Sequence, residues 1–549
     1  MGACGFTCAV GFRQAASGCV ELLRLLAPGS LSTVTVRRPT LRWRLPPGLA
    51  SVTVDLCGDR RCETVLETFS VTGSTATPTR DLPVGVVFWR VRGDGEAGNS
   101  TTWEFVVGAS SAPVEASWGS FTDVNGDGYG DVVGASPDSR VFLFLGASTG
   151  LGETPAAMVS PPSPAPGFGQ AIAAGDVNGD GYADVAVTAP MADGGAGRVF
   201  VFAGRPSGFG ATLIAVLVSP APVGGLFGAS TAVAGDVDGD GYGDLLVGAP
   251  GAAGAGRVYL FRGGASGLEE TPGAVLTGPD GAGSRFGASV AGAGDVDADG
   301  FADVIVGADG VGSDAGRVFV FHGSHSPLAT TPRAELRSAE GGRFGASVAG
   351  IGDVDGDGYP DLAVGAPESE FVGRVLVFAG SALGIVATPA RVIRSPGGMP
   401  GRFGAAVAAA GDFDGDGYAD LVAGSPSLSG FLGGIHLFLG SATGVPVTPA
   451  ATWMGSLGVG SLFGGSLASG RDIDGDGFSD LVVGAEYANF FSGAVLLVPG
   501  GALGRMLRVI PTPASAGGYF GHAVASAPPI PVGGSTCSTG RRGRPRGDG

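Results

Sequence analysis

Seven short acidic strings carry the chemistry of this chain of 549 residues. They read DVNGDGYGD from residue 123, DVNGDGYAD from 176, DVDGDGYGD from 236, DVDADGFAD from 295, DVDGDGYPD from 353, DFDGDGYAD from 412 and DIDGDGFSD from 472. Their first position holds Asp123, Asp176, Asp236, Asp295, Asp353, Asp412 and Asp472. The third holds Asn125, Asn178, Asp238, Asp297, Asp355, Asp414 and Asp474, and the fifth Asp127, Asp180, Asp240, Asp299, Asp357, Asp416 and Asp476. The ninth holds Asp131, Asp184, Asp244, Asp303, Asp361, Asp420 and Asp480. Side-chain oxygens at those four positions can wrap one hard cation, with glycine at the sixth permitting the sharp turn. The seventh position adds a backbone carbonyl, from Tyr129, Tyr182, Tyr242, Phe301, Tyr359, Tyr418 and Phe478. Oxygen donors without His or Cys favour calcium over zinc or copper. The expectation is Ca²⁺ at up to seven sites. An EF-hand is excluded, because position twelve lacks its glutamate and the flanks read as strands rather than helices.

The elements that position these strings repeat with them. Successive strings start 53, 60, 59, 58, 59 and 60 residues apart, a period that marks a propeller or an array. A Phe-Gly pair precedes six of them, at Phe168, Phe227, Phe286, Phe344, Phe403 and Phe463. Each string is followed by an apolar run such as DLLVGAP, a glycine-rich loop, an alternating run such as GRVYLF and a last short run. That gives four strands per unit, and four-stranded units repeated radially are propeller blades. The first string lacks a Phe-Gly pair at the usual distance, whereas Phe520-Gly521 has no string after it. The C-terminal strand is therefore expected to complete the first blade and remove an open sheet edge.

Composition agrees with an all-β chain. Glycine occupies 105 positions and proline 37, which disfavours helical bundles, while 44% apolar residues suffice for a core. The formal charge is -18, and all basic residues are arginine. Such a balance argues against nucleic acid or an anionic membrane as the main partner and suits a protein that collects divalent cations. The strings hold 26 of the 50 acidic residues. Unfilled, their carboxylates repel one another, so calcium binding and folding should be linked. No apolar stretch is long enough to span a membrane as a helix.

Cysteine placement points outside the cytoplasm. Cys57 and Cys62 (CGDRRC) are expected to staple a hairpin in an oxidising compartment. The pairing of Cys4, Cys8, Cys19 and Cys537 is not fixed by spacing. The first residues, MGACGFTCAVGFRQ, show no secretory leader. Export then implies a misplaced start or a truncated chain.

The Phe-Gly pair, the DxDxDGxxD loop and the following Gly-Ala-Pro (Gly248-Ala249-Pro250, Gly365-Ala366-Pro367) resemble the FG-GAP repeats of the integrin alpha-chain propeller and its bacterial relatives. The resemblance covers roughly residues 117–526. It implies that the strings are calcium-binding hairpin loops between the first and second strands of a blade. It also implies a partner site on the face opposite those loops. Nothing resembles the integrin leg domains or a transmembrane stalk. Asn125 and Asn178 remove one charge from each of the first two loops.

The expected fold is thus a seven-bladed β-propeller over 117–526 with C-terminal strand closure. Residues 1–30 form a Cys-containing segment and 527–549 a disordered tail. Between them, runs such as LRWRLP, ASVTVDLC and GVVFWRVR over 31–108 read as a small fibronectin III or Ig-like β-sandwich anchored by Trp43, Trp89 and Trp103. His436 and His522 sit inside repeated strands and read as core or edge positions; His322 and His325 read as a loop. No catalytic motif stands out, so the chain reads as a non-enzyme. Arginines Arg198, Arg257, Arg317, Arg374, Arg285, Arg343 and Arg402 recur on the far face, either as a rim for an acidic partner or as ties between blades. The function expected is an extracellular or surface-attached, calcium-binding adhesion or recognition module with a protein or polysaccharide partner. The alternatives are a hydrolase or lyase acting on polysaccharide, or a purely structural surface component. Acidic side chains converging on the propeller channel would favour the enzyme.

Overall fold

The structure, a computed structural model, describes residues 12–107 and 123–525, apart from gaps of one to six residues. The string period becomes a repeated four-stranded antiparallel sheet, the building block of a β-propeller. The sheet around the third string is representative. Ser230–Gly235 leads into the string, Asp244–Ala249 leaves it, and Arg257–Phe261 and Ala274–Thr277 follow in order. Seven such sheets occur among the described residues. Their innermost strands are Ile172–Gly175, Ser230–Gly235, Ser289–Gly294, Ser347–Gly352, Val407–Gly411, Ser466–Arg471 and Ala523–Ala525. Each lies against the next, and Ala523–Ala525 lies against Ile172–Gly175.

That last strand joins the first sheet from the far end of the chain, pairing Val133 with Ala525 and Ala135 with Ala523. Each Phe-Gly pair explains itself once the sheets are adjacent. The phenylalanine is fully buried and packs on the third strand of its own sheet, as Phe286 does on Phe319, with ring centroids 5.6 Å apart. Its backbone meanwhile bridges Gly256 of the preceding sheet. A Cβ on Gly256 would stand 2.1 Å from Phe286 O, and its φ is +96°, so only glycine fits there.

The second strands are buried at every position, as in Asp244–Ala249, because sheets cover both of their faces. The innermost strands enclose a channel of about 180 Å³. Its walls are small and apolar, including Ala173, Ala232, Val290, Val348, Ala409 and Val524, with Thr231 and Ser469 as its hydroxyls.

Ahead of these sheets lie two others. One has five strands, in the order Ser32–Val34, Trp103–Val107, Gly85–Gly93, Ser51–Cys57, Val65–Thr72. The second has three, Arg24–Ala27, Leu41–Arg44 and Thr75–Ala76. Arg24–Ala27, which the sequence assigns to the N-terminal segment, pairs with Leu41–Arg44. Trp43, Trp89 and Trp103 are all buried in one core shared by the two sheets. A disulfide joins Cys57 and Cys62. Cys4, Cys8, Cys537, the tail 527–549 and residues 108–122 lie outside the described residues. Among the described residues no helix is long and apolar enough to cross a membrane.

Closure by the last strand has a measurable consequence. Phe520 is fully buried against Phe142, with centroids 5.7 Å apart, whereas Phe490 is 99% exposed. Phe520→Ala is expected to cost about 3–5 kcal/mol and to lower the melting temperature sharply. Phe490→Ala should leave it within error in the same thermal scan.

Candidate metal centre

Each of the last six strings spans the turn from innermost to second strand, and its ninth residue opens the second strand; the first string leads directly into Val132–Ser136, whose innermost neighbour comes from the far end of the chain. The aspartate there accepts backbone N–H groups on both carboxylate oxygens. In the third string, Val237 N–H donates to Asp244 Oδ2 at 2.9 Å and Gly263 N–H to Oδ1 at 2.9 Å. The same pair of bonds recurs at Asp131, Asp184, Asp303, Asp361, Asp420 and Asp480. The sequence marked this residue as a ligand only. It also ties the start of the string to its end and to the turn after the third strand. One lone pair remains on each oxygen for a cation.

The first position shapes the loop. Asp236 Oδ1 accepts from Gly239 and Asp240 at 2.7 and 3.0 Å, and its Oδ2 from Gly241 at 2.7 Å. The fifth accepts from the seventh, as Tyr242 N–H does to Asp240 Oδ1 at 3.0 Å. Backbone donors thus hold the carboxylates in a small volume. Asp236, Asp238 and Asp244 bring ligand atoms within 4.8 Å of one another. So do Asp295, Asp297 and Asp299; Asp353, Asp355 and Asp357; Asp412, Asp414 and Asp420; and Asp472, Asp474 and Asp476. In the first two loops the carboxamides of Asn125 and Asn178 stand where the others have a third-position carboxylate.

Such crowding is electrostatically costly without a counter-charge. Burial, and then the neighbouring Asp238 and Asp236 carboxylates, push Asp244 well above the ordinary carboxylate range. Burial followed by Asp295 does the same to Asp303, and burial followed by Asp176 to Asp184. Asp353 rises to about 6 and Asp420 to about 8, chiefly through burial. Asp297 Oδ1 is buried with no hydrogen bond. An all-oxygen donor set of this charge and size fits a hard divalent cation such as calcium.

Two loops are met by a basic side chain of their own sheet. Arg262 Nε stands 3.2 Å from Asp238 Oδ2, and His322 Nδ1 stands 3.0 Å from Asp297 Oδ2. Both residues follow the third strand of their sheet, at the position where the other sheets carry Leu145, Ala203, Ala379, Leu439 or Pro499. Two further histidines are held by neighbouring side chains. His436 is buried between Ser425 and Thr452, and burial lowers its pKa to about 4. His522 bonds Glu486 and Gln170. His325 lies outside the described residues.

Neighbouring loops are also stitched to each other. The first-position carbonyl accepts the eighth-position N–H of the next loop: Ala183 to Asp123 at 3.0 Å, Gly243 to Asp176 at 3.2 Å, Ala302 to Asp236 at 2.9 Å. Ala419 to Asp353 and Ser479 to Asp412 continue the series, and Gly130 to Asp472 returns it to the first loop. One link is missing, because Pro360 has no N–H to give Asp295. Seventh-position rings cover the preceding loop, where a Cβ on Gly126 would meet Tyr182 at 2.7 Å and one on Gly415 would meet Phe478 at 2.6 Å.

On the opposite edge, most of the recurring arginines are already paired. Arg343 reaches Asp309 and Glu368, Arg374 reaches Glu340 and Glu370, and Arg285 reaches Asp309 and Asp314. Arg317 binds Asp280 and Glu335, and Arg198 binds Asp193. Of the two readings of these arginines, a rim for an acidic partner or ties, the pairs favour ties.

Comparison with known proteins follows the repeat. A family model described as FG-GAP repeat matches residues 168–202, 227–261, 286–321, 344–378, 403–438 and 463–498. The chain is similar to human integrin alpha-IIb, 42% identical over 155 residues, which is 26% of this chain and 15% of that protein. It is 34% identical over 239 residues to Xenopus laevis integrin alpha-5, covering 40% and 22%. Drosophila melanogaster integrin alpha-PS2 matches at 35% over 214 residues, covering 36% and 15%. The chain thus spans a small part of these relatives' length. A solved structure titled a putative 6-phosphogluconolactonase from Bacteroides fragilis overlaps 73% of this chain and 98% of its own, at 12% identity and a TM-score of 0.47.

Two expectations follow from the carboxylates. A carboxyl raised in the fold adds stability that is full below its unfolded value of 3.8 and is lost as pH rises through the folded value. In EDTA, the melting temperature should therefore fall steadily from pH 4 towards pH 8. A flat or rising profile in the same scans would contradict the crowding. Second, Asp244→Ala should destabilise the protein even in EDTA, by about 1–3 kcal/mol, because two buried N–H groups lose their acceptor. Asp240→Ala should weaken calcium binding with a smaller loss in EDTA, read by calorimetry beside thermal melts.

Proposed function

Because the chain is an FG-GAP repeat protein similar to the integrin alpha chains, we propose that it is a calcium-stabilised recognition module working outside the cell or on its surface. In this reading the repeated sheets form a seven-bladed propeller closed by the C-terminal strand, behind a fibronectin III or Ig-like sandwich. Ca²⁺ fills the loops of one face, and a protein or polysaccharide partner docks on the other.

One observation carries the choice of face. Phe371, Phe431 and Phe491 occupy the same position, two residues before the glycine that precedes the third strand, in three consecutive sheets. They lie 93%, 54% and 57% exposed, with φ of 65°, 66° and 70°. The preceding sheets place Gly195, Gly254 and Asp314 there, residue types that tolerate left-handed backbone. A phenylalanine in that conformation costs roughly 1–3 kcal/mol; Phe371 gains almost no burial in return, whereas Phe491 packs against Tyr487 and Tyr519. Strain kept for exposed rings on neighbouring loops is the mark of a binding surface. These loops join second to third strands, so they project from the edge opposite the acidic strings.

The hydrolase or lyase alternative finds less support. The channel walls named above are apolar, and among the described lining residues none is acidic or basic.

The test uses arrays of extracellular-matrix proteins and of polysaccharides, probed in millimolar calcium and in EDTA. Binding to at least one class in calcium is expected, together with a higher melting temperature and several ions bound per chain. The triple variant Phe371→Gly, Phe431→Gly, Phe491→Gly should lose that binding, and Phe371→Gly alone should melt no lower than the parent, because its strain is relieved and its ring is 93% exposed. Calcium-dependent melting without any bound partner would favour the structural component. Depolymerisation of a polysaccharide would favour the enzyme.

A further inference from the structure

The first two strings differ from the rest by an Asn-Gly step at the third and fourth positions, Asn125-Gly126 and Asn178-Gly179. Their surroundings in the fold are unusual for this step. Gly126 N–H donates to Asp123 Oδ1 at 2.6 Å, and Gly179 N–H donates to Asp176 Oδ1 at 2.6 Å. The carboxamide oxygens are held as well. Asp127 N–H donates to Asn125 Oδ1 at 3.2 Å, and Asp180 N–H to Asn178 Oδ1 at 2.9 Å. In the first loop Asn125 Nδ2 also donates to Asp127 Oδ2 at 2.8 Å.

Taken as chemistry, this set has a nucleophile with a base and an electrophile with an oxyanion donor. The glycine nitrogen is the atom that would attack the asparagine Cγ. A carboxylate touches its proton, and a backbone N–H polarises the carbonyl under attack. Glycine in the following position leaves the approach free of a side chain.

We propose that Asn125 and Asn178 are sites of self-deamidation in the calcium-free loop, and that calcium protects them. The inference about protection rests on the calcium reading above; the conversion itself does not. In the reaction the glycine nitrogen forms a bond to Cγ, and the Cγ–Nδ2 bond breaks. The amide proton passes to the Asp123 or Asp176 carboxylate and on to the leaving nitrogen, which departs as ammonia. Water then opens the cyclic imide. Opening at Cγ leaves aspartate, and opening at the main-chain carbonyl leaves isoaspartate.

Aspartate at position three is what the other five loops already carry. That product adds one carboxylate to each of the first two sets and raises their charge to that of the third loop. Isoaspartate instead inserts a methylene into the turn and misplaces the donors beyond it. Calcium opposes both outcomes, since the groups that assist the reaction are the same oxygens that the ion would hold.

The test follows the intact protein at neutral pH, in EDTA and in millimolar calcium, at a temperature where circular dichroism shows it folded in both. Proteolytic peptides separate asparagine, aspartate and isoaspartate at 125 and 178, with Asn489, which precedes Phe490, as the internal reference. A urea-denatured sample supplies the rate of the same sequence without the loop. Conversion at both sites in EDTA should exceed that in urea, and fall about tenfold or more in calcium. Conversion in folded EDTA samples slower than in urea would overturn the proposal, since the loop would then shield the step. Equal conversion with and without calcium would overturn the protection. Bound calcium counted in the same samples tells that failure from a failure to bind calcium at all.

Discussion

The carboxylate that ends each acidic string holds together pieces of backbone that have no other reason to meet. Asp244 takes Val237 N–H from the beginning of its string and Gly263 N–H from the turn beyond the third strand. Two buried donors are satisfied by one side chain, and the turn is closed before any ion arrives. The same arrangement recurs at all seven strings, so each sheet has its corner fixed independently of its neighbours. Loop-to-loop bonds then join corner to corner except at Pro360, with the Asp472 carbonyl receiving Gly130 N–H where the last string meets the first. A ring of hydrogen bonds on one edge complements the pairing of the last strand at the centre. Both devices close the same gap, one through backbone at the rim of the channel and the other through the sheet itself.

Charge is the opposing term. Carboxylates packed within hydrogen-bonding turns are desolvated and repel one another, which burial and proximity register as raised proton affinities at Asp184, Asp244 and Asp303. The loops answer this in different ways. Asn125 and Asn178 remove a charge, Arg262 places a guanidinium on Asp238, and His322 lies on Asp297. The asparagines and Arg262 reduce repulsion without metal, and Arg262 and His322 stand on oxygens that a metal would need. The loops are therefore not seven equal sites. Those around Asp353 and Asp412 keep the full carboxylate set, and among the described ion pairs no arginine or histidine leans on Asp355 or Asp414.

The period, the four strands and the buried phenylalanines could be read from the sequence because they are local and repeated. A Phe-Gly pair or an alternating apolar run has the same meaning wherever it stands. What the sequence hid is relational. The second job of the ninth aspartate depends on a glycine fifteen to twenty residues further on, as in Asp131 and Gly146, Asp244 and Gly263 or Asp303 and Gly323. Pro360 looks like any other eighth-position residue until the neighbouring loop is seen to lack its donor. The arginines of the far edge read equally well as a rim or as ties. Only the positions of Asp309, Glu340, Glu368 and Glu370 decide for ties. The exposed phenylalanines escaped notice because backbone sign is invisible in a sequence where glycine fills the equivalent positions elsewhere.

Those phenylalanines also show how the two edges divide their tasks. The loop before the third strand takes the same left-handed path in sheet after sheet, whether its residue is Gly254, Asp314, Phe371 or Phe431. The path is set by the bonds at its base, such as Gly316 N–H to Val311 O and Gly373 N–H to Ser369 O, not by the side chain it displays. A change of side chain there alters the surface and a local strain energy, while the corner aspartates on the other edge are untouched. Strain of this kind persists only where the surrounding structure over-determines the backbone. The bonds at the base of each loop supply that determination, which is why the displayed side chain is free to vary at the one edge while the acidic strings repeat so closely at the other.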